Sequence, residues 1–449
     1  MAKLFGTDGI RGEANRYPMD GALAFSVGQA LAYLLRKRNP EPKVVLGRDT
    51  RISGPMLESA LAAGIMSMGA TPLLVGILPT PGIAFMTRSA RADAGIVISA
   101  SHNPYQDNGI KIFSGDGFKL SDSDEETIEG LILDKDLKNK CPSAGNLKRP
   151  SALGDAERRY LDFLKSTFPR DLSMQSMNIV LDAANGATHR VAPDVFNEMG
   201  ARVHVIHDHP DGTNINDHCG SQHTQDLQKE VVAKGADLGL AFDGDGDRLI
   251  AVDGKGQRLT GDQILVICAK VMKDLGSLKN NLLVTTVMSN LGLRMACKKY
   301  GFNHHASKVG DRYVLEEMRR LGGILGGEES GHIIFLDHHT TGDGILAALR
   351  LIDAMLRTKK PLSELAGWMD VYPQKLINVK VKSKPEISTV PEIAEVITQA
   401  ENDLGEQGRV LVRYSGTENL CRVMVEGPTE EITQKYCSKI AESVKRILG

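Results

Sequence analysis

Residues 238–252 read LGLAFDGDGDRLIAV, which is two short apolar runs with an acidic, glycine-spaced loop between them. Each apolar run predicts a short strand, and the loop carries three carboxylates at a spacing of two. Because residues two apart in extended backbone point to the same side, Asp243, Asp245 and Asp247 can converge on one cation. We therefore expect a metal-binding loop between two strands, with a plain acidic turn as the alternative.

The donor set of this loop indicates which metal it would bind. An EF-hand is excluded, because Arg248 stands where that loop needs its central Gly and Gly254 where it needs its final Glu. An all-oxygen site of three carboxylates suits Mg²⁺, with a phosphate completing the coordination.

Composition extends the strand-and-loop pattern to the whole chain. The 449 residues include 46 Gly but only 5% aromatic residues, which suits many tight strand-to-helix turns and predicts an alternating α/β fold. The length favours about three or four domains. Breaks in the periodicity predict three α/β domains and a smaller α+β domain: 1–150, 151–253, 254–369 and 370–449.

The charge balance limits the partners. Lys and Arg number 54 against 56 Asp and Glu, so no global positive field attracts nucleic acid or acidic lipid, and an anion must be captured locally. The N-terminus lacks the apolar core of a secretory signal, and no run of about 18 apolar residues follows. We expect a cytoplasmic protein that binds a small molecule, with no nucleic acid and no membrane partner; homodimer formation is left open.

Cysteine and histidine residues are interpreted as structural. The 6 cysteines form no C-x-x-C pair, so we expect buried thiols rather than disulfides or a zinc site. The histidine-rich stretch 204–223, which includes Cys219, has no spacing typical of zinc ligands. We predict a surface or interdomain loop there.

A second loop with reactive groups, SASHNP at 99–104, follows the predicted strand Ala94–Ile98. Loops at strand ends are where α/β proteins place such groups. Either Ser99 or Ser101 is a candidate nucleophile, and both also suit a simple turn. No G-x-S-x-G motif or ordered acid and histidine pattern accompanies them, so acyl-transfer chemistry is disfavoured.

Three further segments carry polar groups suited to a phosphorylated ligand. RYSGTEN at 413–419 has the composition of a phosphate-binding loop, although an ordinary hairpin turn also fits. GEESGH at 327–332 offers acceptors for a polar sugar, and FGTDGIRG at 5–12 is a glycine-punctuated basic loop. Arg11 and Lys111 are candidates to contact a transferring phosphoryl group, with surface solvation as the alternative.

Five motifs together resemble the α-D-phosphohexomutase superfamily, in this order along the chain: FGTDGIRG, SASHNP, DGDGDR, GEESGH and RYSGTEN. Four others are similar to motifs of the bacterial phosphoglucosamine mutase family: LGRDTR at 46–51, PDGTNIN at 210–216, VGDRYV at 309–314 and TTGDG at 340–344. The resemblance spans the chain. It implies three α/β domains with mixed sheets and a smaller, mobile α+β domain around a central cleft.

The resemblance also implies roles for individual residues. It makes Ser101 the phosphorylated residue and, with Asp243, Asp245 and Asp247, a ligand of one Mg²⁺ per chain. The residues expected around the phosphoryl group are Arg11, His102, Lys111, Arg248 and His332. Those expected to bind the substrate are Glu328, Ser330, Arg413, Ser415, Gly416 and Thr417.

The implied reaction interconverts glucosamine 6-phosphate and glucosamine 1-phosphate, a step that supplies UDP-N-acetylglucosamine and cell-wall precursors. Phosphorylated Ser101 gives its phosphoryl group to a sugar hydroxyl, glucosamine 1,6-bisphosphate turns over, and its other phosphate returns to the serine. His332, Lys111 and His102 are candidate general acids or bases. The alternatives are a phosphoglucomutase or phosphomannomutase acting on neutral hexose phosphates, a sugar-phosphate phosphatase, and a non-enzymatic binding protein.

Overall fold

A computed structural model describes residues 4–6, 8–134, 136–415 and 419–449. Contacts divide the chain into two compact units. The first runs through Val287 and resumes over Phe302–Gly367. The second comprises Met288–Gly301 and Trp368–Gly449.

The first unit begins with a mixed sheet. Its strands are β1 (Ile10–Glu13), β2 (Lys43–Arg48), β3 (Thr71–Ile77), β4 (Ala94–Ile98), β5 (Asp107–Ser114) and β6 (Ser151–Ala152), in the order β1-β5-β4-β2-β3-β6. The helices are α1 (Gly21–Arg36), α2 (Gly54–Ser67), α3 (Thr80–Ser89) and α4 (Asp122–Leu133). Strand β4 is apolar and wholly buried, as is typical of a sheet covered on both faces.

Helices α1 and α2 cross at close range on this sheet. A Cβ added at Gly28 would lie 2.5 Å from the Leu61 carbonyl oxygen, and one at Gly64 would lie 2.1 Å from that of Phe25. The two backbones can therefore approach only because neither position has a side chain.

A second mixed sheet follows. It contains β7 (Asn178–Asp182), β8 (Arg202–Ile206), β9 (Leu238–Phe242) and β10 (Leu249–Asp253) in the order β10-β9-β7-β8. Its helices are α5 (Ala156–Thr167), α6 (Val191–Glu198) and α7 (Gln225–Lys234). The sequence pattern predicts a helix over Ala187–Met199, and its start is wrong. Residues 187–190 form turns, in which the Ala187 N–H donates to the Gly244 carbonyl at 2.8 Å, and α6 begins at Val191.

A third mixed sheet has β11 (Leu282–Thr286), β12 (Asn303–Ser307), β13 (Leu325–Gly327) and β14 (Ile333–Phe335) in the order β12-β11-β13-β14. The helices in this part of the chain are α8 (Gly261–Asp274), α9 (Leu291–Tyr300), α10 (Asp311–Leu321), α11 (Gly344–Thr358) and α12 (Leu362–Ala366). Helix α8 starts with a reciprocal capping box between Thr260 and Gln263. Helix α9 belongs to the second unit, where the Asn290 amide, which caps it, also bonds the Tyr372 backbone.

The rest of the second unit is an antiparallel sheet with two helices. Its strands are β15 (Gln374–Lys380), β16 (Arg409–Tyr414) and β17 (Leu420–Glu426), in the order β15-β17-β16. Helices α13 (Pro391–Leu404) and α14 (Glu430–Leu448) contribute Ile393, Ile440 and Val444 to a core beneath the central strand.

Each sheet of the first unit combines parallel strands with an antiparallel pair whose connecting loop carries candidate functional residues. These pairs are β4–β5, β9–β10 and β13–β14. Three successive α/β sheets and a smaller α+β sheet confirm the predicted fold class.

Two observations complete the fold. The cysteines are free, but the expectation of burial is wrong for Cys141, which is exposed because it follows a short 3₁₀ turn on the surface. In the described part of the chain, no helix combines the length and apolar character needed to cross a membrane.

Candidate active site

The β9–β10 hairpin loop brings three buried carboxylates together. One oxygen from each of Asp243, Asp245 and Asp247 lies within 4.8 Å of the other two. Within the described residues, Oδ1 of Asp245 and Oδ1 of Asp247 are buried without a hydrogen-bond partner. Unpartnered carboxylate oxygens converging on one point fit a hard divalent cation such as Mg²⁺.

The three carboxylates are electrostatically unequal. Burial, followed by the charges of Asp247 and Asp245, raises the pKa of Asp243 well above its ordinary value. Burial also acts to raise the pKa of Asp245, but the Lys111 ammonium and the Thr80 hydroxyl together lower that pKa overall. Lys111 Nζ lies 3.0 Å from Asp245 Oδ2 and 3.1 Å from Asp8 Oδ2. Asp243 is therefore less compensated by the protein's own cations than Asp245 is.

The serine loop faces this acidic loop through Ser101. The buried Ser101 hydroxyl donates a hydrogen bond of 2.5 Å to Asp243 Oδ2 and lies 3.3 Å from His102 Nδ1. Ser99 instead donates to Asp49 Oδ2 over 2.6 Å and accepts the Ser101 backbone N–H over 3.0 Å. The residue pattern leaves Ser99 and Ser101 both open as the nucleophile. In this geometry only Ser101 points to the acidic loop.

Two arginines flank the same point. Arg248 Nε is 3.9 Å from both Asp243 Oδ2 and Asp247 Oδ1. Arg11 forms an ion pair with Asp8 and donates to the Ala100 carbonyl at 3.4 Å. Together with Lys111 they form a cationic surround suited to a phosphoryl group.

These groups open onto a cleft of about 440 Å³. Its lining comprises Leu4, Gly6, Asp8, Gly9, Arg11, His102, Asp247, Arg248, Val309, Gly310, Asp311, Glu328 and His332. Burial, followed by the charges of Arg248 and Arg11, lowers the pKa of His102 to about 4. The cleft thus combines cations, carboxylates and imidazoles in a volume appropriate to a small polar ligand.

His332 and Glu328 form the opposite wall, on the loop between β13 and β14. His332 is 3% exposed, and its Nε2 lies 3.4 Å from Asp311 Oδ2. Among the described residues, neither ring nitrogen of His332 has a hydrogen-bond partner. Glu328 Oε1 accepts the Gly310 N–H at 3.0 Å, and burial raises the pKa of this carboxyl.

Family models match nearly the whole chain. The description is Phosphoglucomutase/phosphomannomutase, with alpha/beta/alpha domain I over residues 2–139, domain II over 158–256, domain III over 260–372 and the C-terminal domain over 376–443. The chain belongs to the phosphoglucomutase/phosphomannomutase family. The recognition of a phosphohexomutase from its motifs is confirmed.

Curated members of this family are similar over their full length. A protein of Syntrophobacter fumaroxidans named phosphoglucosamine mutase is 67% identical over 449 residues, covering 100% of both chains. One of the same name from Syntrophus aciditrophicus is 60% identical, again over 100% of both chains. A crystal structure of a Burkholderia thailandensis phosphoglucomutase/phosphomannomutase family protein has the same fold, with a TM-score of 0.80, 24% identity and coverage of 99% and 97%.

Some residues at the cleft of this chain have no role predicted from the sequence. Lys119 Nζ bridges Asp8 and Asp311, at 2.5 Å from Asp8 Oδ1, and so joins the turn before β1 to the start of α10. Asp8 and Asp311 lie inside the motifs FGTDGIRG and VGDRYV, which was the available signal. Lys119 lies in no motif, and only the fold brings it to the cleft.

Three predicted substrate-binding residues besides Glu328 fall within the described residues: Ser330, Arg413 and Ser415. Ser330 is exposed at the tip of its loop. Arg413 is the penultimate residue of β16 in the second unit, and the Ser415 N–H donates to the Leu420 carbonyl at 2.9 Å. Gly416 and Thr417 lie outside the described residues.

The histidine-rich stretch contributes His207 and Cys219 to a cluster with Asp182, which the sequence does not predict. His207 Nδ1 lies 3.2 Å from Asp182 Oδ1, and Cys219 Sγ is close enough to both for the three to form a possible metal-ligand set. However, the Asp182 carboxylate already accepts the Ala184 and Gly220 backbone N–H groups. His209 and His218 are exposed, as a surface loop predicts.

Proposed function

We propose that this protein interconverts glucosamine 6-phosphate and glucosamine 1-phosphate, with Ser101 as the carrier of the transferred phosphoryl group. The observation that carries the proposal is the 2.5 Å contact between Ser101 Oγ and Asp243 at a cationic cleft. The choice of sugar is supported by full-length similarity of 67% and 60% to proteins named phosphoglucosamine mutase.

The acidic loop is proposed to hold one Mg²⁺ per chain. Its ligands would be oxygens of Asp243, Asp245 and Asp247, completed by an oxygen on Ser101. When bound, the ion supplies positive charge that offsets the charge of the phosphoryl oxygens during transfer. Arg11, Lys111 and Arg248 add fixed positive charge around the same point.

Each half-reaction exchanges one P–O bond for another. In the first, a hydroxyl oxygen of the sugar bonds to phosphorus as the bond from Ser101 Oγ breaks, which gives glucosamine 1,6-bisphosphate. The hydroxyl proton passes to a general base on the protein. In the second, the other phosphate is transferred back to Ser101 Oγ. The general base then returns the proton to the sugar oxygen from which that phosphate departs.

Geometry favours His332 as this acid and base. Both of its ring nitrogens are buried without hydrogen-bond partners among the described residues, and the ring lines the cleft. Lys111 is enclosed by carboxylates of Asp8, Asp245 and Asp247, and so is engaged in neutralising them. His102 lies against the nucleophile oxygen itself, where it can steady the phosphoryl group.

Substrate binding is assigned to two loops. Glu328, with its backbone-anchored carboxylate in the cleft, is proposed to accept a sugar hydroxyl, helped by Ser330. The non-reacting phosphate is assigned to the loop carrying Arg413, Ser415, Gly416 and Thr417, an assignment that rests on the motif resemblance. A cytoplasmic location and a place before nucleotide-sugar synthesis follow from the same proposal.

Turnover of three sugar phosphates tests the proposal. We expect kcat/KM for glucosamine 6-phosphate to exceed that for glucose 6-phosphate and mannose 6-phosphate by at least about tenfold, because the cleft is rich in carboxylates that attract an amino group. A preference for the neutral sugars would assign the chain to the alternative activity. Release of inorganic phosphate equal to substrate consumed would instead indicate a phosphatase.

The carrier serine is tested by intact mass and peptide mapping. Ser101→Ala is expected to abolish the phosphoryl increment and to lower mutase turnover by more than about 10³-fold while the chain still folds. In Ser99→Ala, any phosphoryl increment should still map to Ser101. Phosphate found on Ser99, or wild-type turnover in Ser101→Ala, would overturn the mechanism.

A further inference from the structure

The serine loop, residues 99–107, has a conformation that needs outside support. Ser101 is buried and left-handed, with φ 53°, a region that a residue with a side chain adopts at a cost. In this conformation the hydroxyl reaches Asp243. Relaxing Ser101 to an ordinary φ would therefore turn the nucleophile away from the acidic loop.

The support comes from the Arg51 guanidinium, which is entirely buried. One terminal nitrogen donates to the carbonyls of Ser101 and Asn103, at 3.0 and 2.9 Å. The other donates to those of Pro104 and Asp107, the latter at 3.0 Å. A planar fork with fixed donors is the group suited to holding four carbonyls at once, and a lysine ammonium cannot reproduce it.

Asp49 closes a circuit from Arg51 back to Ser101. Asp49 Oδ2 accepts Arg51 Nε at 2.8 Å and the Ser99 hydroxyl at 2.6 Å. Ser99 Oγ in turn accepts the Ser101 N–H at 3.0 Å. Both the N–H and the carbonyl of Ser101 are thus tied to one buried ion pair.

We propose that Arg51, oriented by Asp49, is a positioning residue that holds the Ser101 phosphoryl group in line with the acceptor hydroxyl and thereby favours transfer to the sugar over transfer to water. The inference rests on the proposed phosphoryl transfer. A sugar hydroxyl is held in one orientation and reacts only along one line, whereas water approaches from many directions. Misplacing the serine should therefore slow transfer to the sugar far more than hydrolysis.

The experiment uses the full-length chain with Arg51→Lys, which keeps a positive charge beside Asp49 but loses the fork. Arg48→Lys is the matched control, because Arg48 ends strand β2 just before Arg51 and pairs with Glu58 instead of the serine loop. The readouts are kcat, KM, the ratio of phosphate released to sugar isomerised, and the thermal unfolding midpoint.

In Arg51→Lys we expect kcat to fall by about 10²-fold while KM changes by less than about threefold, since misplacement near 1 Å has an effect of that size. The ratio of hydrolysis to transfer should rise by roughly tenfold for the same reason. Arg48→Lys should match the wild type in kcat, in KM and in the ratio of hydrolysis to transfer. A purely structural role would lower the unfolding midpoint but leave kcat per folded molecule and the hydrolysis ratio unchanged, and that result would overturn the inference.

Two further outcomes separate this inference from the proposed function. If Arg51→Lys does not fold, Ser99→Ala decides, because it removes the tie to the Ser101 N–H with a small side-chain change. An unchanged hydrolysis ratio there contradicts the inference. If the wild type does not isomerise hexosamine phosphates, the proposed function fails, and the test becomes the rate at which glucose 1,6-bisphosphate phosphorylates Ser101, read by intact mass. Equal rates in the wild type and Arg51→Lys would then contradict the inference as well.

Discussion

The serine loop and the acidic loop both connect antiparallel strands, but they are held in different ways. Side chains from distant parts of the chain fix the serine loop, chiefly Arg51 and Asn216. The carbonyls of the acidic loop are instead held by distant backbone N–H groups, such as those of Thr80 on Asp245 and Ala187 on Gly244, both at 2.8 Å. Its glycines let the backbone approach these neighbours. A Cβ at Gly244 would lie 2.6 Å from the Ser101 carbonyl oxygen, and one at Gly246 would lie 2.4 Å from Thr188.

This difference matches the demands on each loop. A cation site needs several charged oxygens at short range, and a compact motif can supply them from adjacent residues. A nucleophile needs one oxygen held in a particular direction, which a short loop cannot guarantee by itself. The loops meet where Gly244 contacts the Ser101 carbonyl, so changes there should be the most damaging.

The largest effect is expected from Gly244→Ala. The added methyl group would clash with the Ser101 carbonyl, with Asn216 Nδ2 at 2.7 Å and with Ile215 at 2.7 Å. Overpacking of this kind destabilises by about 1–3 kcal/mol, and pushing the loops apart should lower kcat by about 10²-fold or more. Chemical denaturation and steady-state kinetics measure the two effects.

Gly130→Ala is the matched control for this substitution. Gly130 lies within helix α4, and nothing lies within 4 Å of an added Cβ. Alanine there should stabilise by roughly 0.5–1 kcal/mol and leave turnover unchanged. If Gly244→Ala retained wild-type kcat, the close approach of the two loops would have no catalytic role.

The next largest effect is expected on the free energy of unfolding when one charge of the acidic loop is removed. This free energy is measured with a chelator present. Asp243→Asn removes one of three converging charges, and we expect the free energy of unfolding to rise, because burial and two like charges disfavour the ionised form of Asp243. Asp245→Asn weakens the pairing of buried Lys111 and removes an acceptor from Thr80, so it should lower that free energy by about 3 kcal/mol. Denaturant unfolding in EDTA measures both.

Adding Mg²⁺ completes this comparison. The wild type should gain stability from the ion by mass action, whereas either asparagine variant should gain much less. Glu41→Gln, at an exposed pair with Lys148 outside the cleft, serves as the control and should respond like the wild type. Destabilisation by Asp243→Asn in EDTA would show that its charge is compensated by the protein itself, contrary to our interpretation.

The contrast between the two loops also explains which features can be predicted from the sequence. The acidic triad is predictable because its members lie within five residues and each carries a charge whose spacing is diagnostic. Short apolar strands are also predictable from local pattern, including β4 at Ala94–Ile98 and β9 in the first apolar run of residues 238–252. The start of α6 is not, because the turns at 187–190 involve contacts with distant backbone, such as the Ala187 N–H on the Gly244 carbonyl, that have no local signal.

The support of the serine loop is hidden for a different reason. Arg51 binds backbone carbonyls, which every residue has, and these lie some 50 positions along the chain. Its motif, LGRDTR, is visible in the sequence, but its partners are not. Similarly, the choice between Ser99 and Ser101 depends on Asp49, and only the fold shows which hydroxyl is already engaged.

The smallest effect is expected from Asn216→Gly, which weakens the serine loop without touching Arg51. Asn216 Nδ2 donates to the Ser101 and Asn103 carbonyls at 2.9 and 3.0 Å. Its φ of 58° is one that glycine adopts freely, so the substitution removes the side chain without backbone strain. Arg51 still holds both carbonyls, and we expect a loss of about 1 kcal/mol in stability and roughly tenfold in kcat.

Asn15→Gly controls for the backbone change, because Asn15 is also left-handed, with φ 63°, but is exposed, and its N–H donates to the Met19 carbonyl instead of the serine loop. Its turnover should equal that of the wild type. Combining Asn216→Gly with Arg51→Lys then shows whether the two supports share one task. A combined loss in kcat greater than the product of the single losses indicates that each compensates for the other at the same carbonyls. Simple multiplication of the two losses would mean that they act independently, and Arg51 would then position Ser101 through its other contacts.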